Sequence, residues 1–455
     1  MFKVCKFGGS SLADGGQVRK VCDIVLADPT RRIVVVSAPG KRSKQDTKVT
    51  DLLIDCANRA LAGQAYEPVL QEIVDRFAEI QRTLGLDAGI VPEIEADLRR
   101  RLDGRRDHAG MFLDAMKAAG EDNAARITAA AFRARGVEAE YVDPRDAGML
   151  LTDEFGNAQL LDESYPNLAQ ALSTRQAVVV FPGFFGYTRS GAVATFPRGG
   201  SDITGAILAA AVKATVYENF TDVDSVFAVD PRIVPDVRHA IDVMTFREMR
   251  ELSYAGFGVF HDEAVLPAIR AGVPINIRNT NRPGQPGTMV VPKREVKPGE
   301  CAVVGIASDT GFVNLYVDKY LMNREVGFCR RLLQILEEEG VSIEHMPSGI
   351  DNVSVVLREA RFDAAREQRV VARIKAEFAP DNMLVERGHA LIMVVGEGMQ
   401  YAVGMAARAT KALADVHVNI EMINQGASEI SIMFGVKASD RDRAVQGLYR
   451  EFFGA

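Results

Sequence analysis

The chain has 455 residues, enough for two or three domains with ample core, and 47% of them are apolar, as in ordinary globular proteins. A net charge of −7 argues against broad nucleic-acid binding and leaves room for a local basic pocket. The five cysteines (Cys5, Cys22, Cys56, Cys301, Cys329) are dispersed without a CxxC pair, and no run approaches the ~18 apolar residues of a membrane span, so the expectation is a soluble, cytoplasmic chain with reduced thiols and neither membrane nor nucleic acid as partner.

The first element is a short strand running into KFGGSS, which sets Lys6 beside Gly8, Gly9 and Ser10. Glycines free of Cβ let backbone N–H groups approach a phosphate, and a lysine at a strand end supplies a point charge. By itself the hexapeptide fits a tight turn with a solvated lysine better. In QVRKVCDIVL, Val18, Val21, Cys22 and Val25 recur at helical spacing. RRIVVVSAPG reads as a buried strand entering a loop at Ser37. APGKRS resembles part of a P-loop, but that pattern needs glycine where Val35 stands.

AAGEDNAARI puts Glu121 in a helical run of small residues, where it can receive an ammonium or remain an ordinary solvated carboxylate. QAVVVFPGFFGY, ATVYENFTDV and VPINIRNT repeat the buried-strand form. FPRGGSDITG places Arg198, Ser201 and Asp202 at the start of the Ala-rich helix GSDITGAILAAAVKA. Arginine can fork a carboxylate, and a helix start attracts anions. TDVDSVFAVDPR carries Thr221, Asp222, Phe227, Asp230 and Arg232, with a ring to pack on a base and an arginine for phosphates. Strands alternating with helices predict an α/β domain with a largely parallel sheet and ligands at the strand-end loops.

Composition shifts near residue 280, where RNTNRPGQPGTMVVPKREVKPGE reads as a linker or edge segment. Beyond it the chain repeats itself. GFCRRLLQILEEEGVSIEHMPSGIDNVSVVL from Gly327 aligns without a gap on GMAARATKALADVHVNIEMINQGASEISIMF from Gly404, an offset of 77. Each copy reads as helix, strand, glycine turn, strand. GEGMQY follows a strand but lacks the third glycine of a dinucleotide fingerprint.

KFGGSS, SAPGKRSKQDTKVTDLL, the Gly-Glu of residues 120–121, RGGSDITG, FTDVDSVFAVDPR and VNIEMINQGASEISIMF occur in this order. Together they resemble the aspartate kinases of the amino-acid kinase superfamily, with paired C-terminal ACT domains. The resemblance implies a three-layer αβα sandwich with a largely parallel sheet, followed by two ferredoxin-like βαββαβ ACT domains. It places the kinase domain at 1–295 and the ACT domains at 305–380 and 381–455, the last strand being available to complete the first of them.

The same resemblance implies residue roles. Lys6 stabilises the phosphoryl group in flight and Asp202 orients that lysine. Thr50, Glu121, Arg198 and Ser201 hold the substrate, Glu121 by its amino group and Arg198 with Ser201 by its carboxylate. Gly8, Gly9, Ser10, Ser37, Thr221, Asp222, Phe227 and Arg232 attend ATP, which brings Mg²⁺; no metal site of the protein's own is expected. The sequence departs from the family at Ser10, where threonine is frequent, and in GFGVFHDEA, where Gly258 stands at a nucleotide-contacting lysine. Lys41, Arg42, Lys44 and Lys48 follow Ser37, in what reads as a solvated loop.

The implied reaction is ATP plus L-aspartate giving 4-phospho-L-aspartate and ADP, the first step toward lysine, threonine and methionine. A carboxylate with a pKa near ~4 is already ionised at neutral pH, so no catalytic base is required. For the ACT pair, Met322, Asn323, Glu325, Val326, Gly327, Phe328, Asp351 and Asn352 are the implied effector residues. Acidic Glu325 and Asp351 favour lysine over threonine, and a shared effector interface implies a homodimer or a dimer of dimers. Two rivals stand beside this reading: a superfamily kinase acting on glutamate or acetylglutamate, and an amino-acid sensor with a degenerate kinase domain. A fused homoserine dehydrogenase is not expected, since nothing follows residue 455.

Overall fold

The structure is a computed structural model that describes residues 2–237, 239–257, 262–295 and 301–454. They fall into two compact units, the first built from described residues up to 226, 240–246 and those up to 294, the second from those within 227–239, 247–259 and from 295 on.

In the first region β1 (Lys3–Phe7) leads to α1 (Gly15–Leu26), β2 (Arg31–Val36), α2 (Val49–Leu61), α3 (Glu67–Leu84), α4 (Ile90–Leu102) and α5 (Ala109–Ala134). Then come β3 (Ala139–Tyr141), β4 (Leu150–Leu151), α6 (Ser164–Ser173), β5 (Val178–Pro182), β6 (Phe185–Thr188), β7 (Val193–Thr195), α7 (Gly200–Ala211) and β8 (Val216–Thr221). β9 (Val243–Thr245), α8 (Phe246–Tyr254), α9 (Leu266–Arg270), β10 (Ile275–Asn279) and β11 (Thr288–Val291) follow. From Arg247 onward α8 belongs to the second unit.

Eight strands form one sheet in the order β3-β5-β2-β1-β8-β10-β11-β9, with only the β10–β11 pair antiparallel. The central strands read as continuous apolar runs because both faces are covered. On one face Cys5, Phe7, Val34, Val36, Val180 and Phe220 pack with α1 to α5. On the other, α7 lies across β1, β2 and β8, with α6 and α9 beside it. This is the expected three-layer sandwich. Strand alternation puts Cys5 and Phe7 on the first face and Lys6 on the face of α7. Beneath the first face the buried Glu218 of β8 accepts from Arg31 of β2 at 2.6 and 2.9 Å and from Arg278 of β10 at 3.0 Å. Removing one partner of such a buried set would strand a charge, so the three residues tie β2, β8 and β10 to one another.

The second unit carries β12 (Gly305–Asp318), α10 (Phe328–Glu338), β13 (Ile343–His345), β14 (Asn352–Arg358), α11 (Ala364–Phe378), β15 (Asn382–Val395), α12 (Met405–Asp415), β16 (Met422–Asn424), β17 (Ser431–Lys437) and α13 (Arg441–Phe453). Its sheet is antiparallel, ordered β13-β14-β12-β15-β17-β16. Two apolar cores lie on it. Val313, Leu315 and Val317 of β12 pack with α10 and α11. Ile306 of β12 and Ala390, Ile392 and Val394 of β15 pack with α12 and α13. Each long strand therefore serves one core with one half and the other core with the rest, changing over at Gly311 and Gly388. Residues 227–239 and α8 join this unit: Ile306 N–H donates to Ala228 O at 2.7 Å, and Ser431 Oγ donates to Glu251 Oε2 at 2.9 Å.

The internal repeat is visible as two ferredoxin-like ACT folds. α10 and α12 keep the offset of 77, but Arg358 of β14 and Lys437 of β17 occupy equivalent pairing positions, against Phe312 and His389. The second copy thus carries two extra residues in its turn, and the gapless alignment fails beyond it. Among the described residues no helix is long and apolar enough to cross a membrane.

Candidate active site

Lys6 stands at the carboxyl end of the central strand, where parallel sheets collect their ligand-binding loops. It is buried, and its Nζ lies 2.7 Å from Asp202 Oδ1 in the first turn of α7. Asn219 Nδ2 of β8 donates to the same oxygen at 2.6 Å.

The strand-end loops are laced together by their backbones. Gly8 N–H donates to Phe220 O at 3.1 Å, Ser37 N–H to Phe7 O at 3.2 Å, Gly40 N–H to Gly9 O at 2.8 Å and Gly183 N–H to Val36 O at 2.9 Å. A Cβ on Gly40 would come within 2.6 Å of the Gly9 carbonyl carbon, so this approach requires glycine. Ser10 is exposed, while Ser11 is buried with its Oγ 2.7 Å from Thr280 Oγ1. The loops after β1, β2, β5, β8 and β10 therefore meet at one rim. Gly199, at φ 84°, turns the chain into α7, which presents Ser201 and Asp202.

Glu121 of α5 is 5% exposed, and its Oε2 is buried with no hydrogen-bond partner among the described residues. Burial pushes its carboxyl up to about 8, against the pull of the Ala38 amide, its own amide and the Lys6 ammonium. Such a group calls for a cation. Arg198 is exposed, with no partner for its guanidinium found among the described residues. Ser201 is buried against Gly183, where a Cβ would lie 2.8 Å from Ser201 Oγ. Thr50 is half-buried in the first turn of α2. Thr221 ends β8 and its Oγ1 donates to Asp222 Oδ1 at 3.2 Å, with Asp222 itself exposed.

The first unit thus gathers Lys6, Gly8, Gly9, Ser10, Ser37, Thr50, Glu121, Arg198, Ser201, Asp202, Thr221 and Asp222. Phe227 and Arg232 belong to the second, where Phe227 is half-buried and Arg232 forks onto Asp230 at 2.6 Å. Gly258 lies outside the described residues. In the loop after Ser37, Lys41, Lys44 and Lys48 are exposed and Arg42 is paired with Asp46 at 2.9 Å.

Two residues of the site escaped the sequence reading. Asn219 is one. Arg76 is the other: 2% exposed, it donates to Gly40 O at 2.7 Å and Thr47 O at 3.0 Å and pairs with Asp46 at 3.1 Å, fixing the loop ahead of Thr50. Its signal was present, since Arg76 falls on the apolar stripe of Ile73, Phe77 and Ile80.

In the second unit the two segments chosen for the effector do come together. Lys319 N–H donates to Asp351 O at 2.7 Å, Leu321 N–H to Asp351 Oδ1 at 2.9 Å, and Asn323 N–H to Ile350 O at 3.2 Å. Met322 and Phe328 are buried in the first ACT core, and Val326 is 97% exposed. Glu325 pairs with Arg331, with Lys319 at 3.9 Å, while Gly327 opens α10 and Asn352 opens β14.

Residues 1–279 match the amino acid kinase family. The chain is 55% identical to aspartokinase 3 of Bacillus subtilis over 451 residues, covering 99% of this chain and 98% of that one. This chain belongs to the aspartokinase family. The solved aspartate kinase of Clostridium acetobutylicum superposes with a TM-score of 0.87 at 37% identity, over 99% of this chain and all of that one. Aspartokinase III of E. coli matches at 26% identity in two crystal structures. The one with aspartate and ADP gives a TM-score of 0.76 over all of both chains, and the one with lysine and aspartate gives 0.72 over 99% of each. Residues 392–452 of this chain match the ACT domain family, a segment that runs from β15 to α13 through the second core.

Proposed function

We propose that the chain transfers the γ-phosphoryl group of ATP to the side-chain carboxylate of L-aspartate, giving 4-phospho-L-aspartate, and opens the route to lysine, threonine and methionine in the cytoplasm. The observation that carries this reading is Glu121, a buried carboxyl with one oxygen unpartnered among the described residues, within electrostatic reach of the Lys6–Asp202 pair. An amino-acid ammonium fits Glu121, and the exposed Arg198 with Ser201 suits the α-carboxylate. The second carboxylate then faces the glycine turn.

The chemistry is electrostatic. The acceptor arrives ionised, so the difficulty is bringing two anions together rather than removing a proton. Holding the reactants in line contributes roughly 7–11 kcal/mol, and each well-placed donor to the moving charge adds about 3–4 kcal/mol. Lys6 and the N–H groups of Gly9 and Ser10 are assigned as those donors, Gly8 being assigned to the same turn with its own N–H held by Phe220 O, and Ser37, Thr50, Thr221 and Asp222 are assigned around them. Phe227 and Arg232 are assigned to the nucleotide. Mg²⁺ would enter with ATP and supply charge neutralisation at the phosphates.

The ACT pair is assigned to feedback by an amino acid, lysine ahead of threonine, bound by residues 322–328 with Asp351 and Asn352. Relative identity supports this choice, since an E. coli aspartokinase III structure contains lysine. A homodimer or dimer of dimers would cover Val326 and Ile350, 97% and 69% exposed beside that turn. The test is ADP release with aspartate, glutamate and N-acetylglutamate, repeated with lysine, threonine and both. Turnover on aspartate, lowered by lysine, is expected. Turnover on another acid, or none, overturns the substrate reading; inhibition by threonine alone overturns the effector reading.

A further inference from the structure

We propose that Asn219 is a positioning residue for phosphoryl transfer, holding the Asp202 carboxylate in place so that Lys6 points at the moving group. The inference rests on the roles given above to Lys6 and Asp202.

β1 and β8 are parallel neighbours, and Lys6 is paired with Asn219 in their register. Both side chains therefore leave the sheet on the face of α7. From α7, Asp202 Oδ1 accepts from both, at 2.7 Å from Lys6 Nζ and 2.6 Å from Asn219 Nδ2. Tyr217, two residues earlier on the same strand and face, donates its hydroxyl to the Asp202 carbonyl at 3.2 Å. The first turn of α7 is thus tied to β8 through side chain and backbone.

Asn219 is 2% exposed in a central strand, where an amide is costly unless hydrogen-bonded, and its donor is directed to Asp202. The arrangement has a mechanical consequence. When an incoming phosphoryl group attracts Lys6, a carboxylate held by Lys6 alone would swing with it. One whose oxygen is also held by Asn219 stays, and the ammonium pivots about a fixed anchor. An amide does this without charge, so Lys6 keeps a single anionic partner.

Two variants test this, with kcat, both KM values and thermal stability measured from pH 5.5 to 8.5. Asn219→Leu removes the donor and should lower kcat by about 10- to 100-fold with both KM values within about two-fold, since misplacement near 1 Å has effects of that size. Asn219→Asp is isosteric. Protonated, it donates to Asp202 as the amide does; ionised, it repels Asp202, and two carboxylates in one site raise the pKa of one of them. Its kcat relative to the parent should therefore rise at least about five-fold as pH falls from 8.5 to 5.5, reversibly and within one folded preparation. This readout survives even if the leucine variant does not fold. Parent-like kcat in Asn219→Leu, or a flat ratio for Asn219→Asp, overturns the proposal. Parent-like turnover in Lys6→Ala would instead overturn the reading of the site on which it rests.

Discussion

Glu121 and Glu325 are both acidic residues set close to a glycine, one in each compact unit, and they are in opposite conditions. Glu121 is buried, with an oxygen unpartnered among the described residues and its carboxyl pushed up to about 8 by desolvation. Glu325 lies nearer solvent and is already paired with Arg331. The first unit holds a carboxyl oxygen without a partner among the described residues, whereas the turn proposed for the effector has spent its charges on itself. A ligand at Glu121 gains a strong new partner; one at Glu325 must compete with an existing one. Large effects are therefore expected in the first unit and small ones in the second.

The largest belongs to Lys6. Lys6→Ala should lower kcat by about 100-fold or more while the KM for aspartate holds, because the lost charge acts on the transferring group. Equal losses in binding and turnover would place Lys6 on the substrate instead. Next is Glu121→Gln, expected to raise the KM for aspartate by about 10- to 100-fold, the range for losing a charge-assisted hydrogen bond. In the parent, kcat/KM for aspartate should climb as pH rises toward about 8, where Glu121 ionises, and the glutamine variant should lose that climb.

The same residue links pH to stability. Because the folded carboxyl titrates above its ordinary value, the folded state binds the extra proton. That contribution is complete below the ordinary carboxyl range and is lost as pH rises through about 8. Glu121→Gln should thus raise the Tm of the ligand-free protein most above that pH, and no gain there would mean the carboxylate has a cation already. Arg198→Ala should raise the KM for aspartate by about ten-fold with kcat nearly kept, as for one exposed charged contact; a rise confined to the KM for ATP would move Arg198 to the nucleotide. Smallest, Glu325→Gln should shift the lysine concentration for half-inhibition by about three-fold, since a part-exposed ion pair contributes little. A shift near a hundred-fold would make the two units alike.

The contrast also marks what the sequence could disclose. The parallel-sheet core was legible because its strands are apolar on both faces, KFGG and RGGSD announced their loops, and Gly-Glu stood out in its helix. The desolvation of Glu121 was not, because it arises where α5 meets the loop after β2, far away in sequence. Asn219 and Arg76 were visible only as polar residues in apolar surroundings. The two-residue slip in the repeat was hidden by the strand period itself: a shift of two leaves every side chain on its face. Nor does local pattern reveal that β12 and β15 each serve two cores, or that Phe227 and Arg232 belong to the second unit.

The most direct measurement is a crystal structure of the protein with ADP, aluminium fluoride and aspartate. Lys6 Nζ should lie about 2.7–2.9 Å from the fluoride group, within the span of the Gly8–Gly9 turn, with the aspartate ammonium on Glu121. A fluoride group bound away from that turn, with Glu121 still unpartnered, would contradict the account.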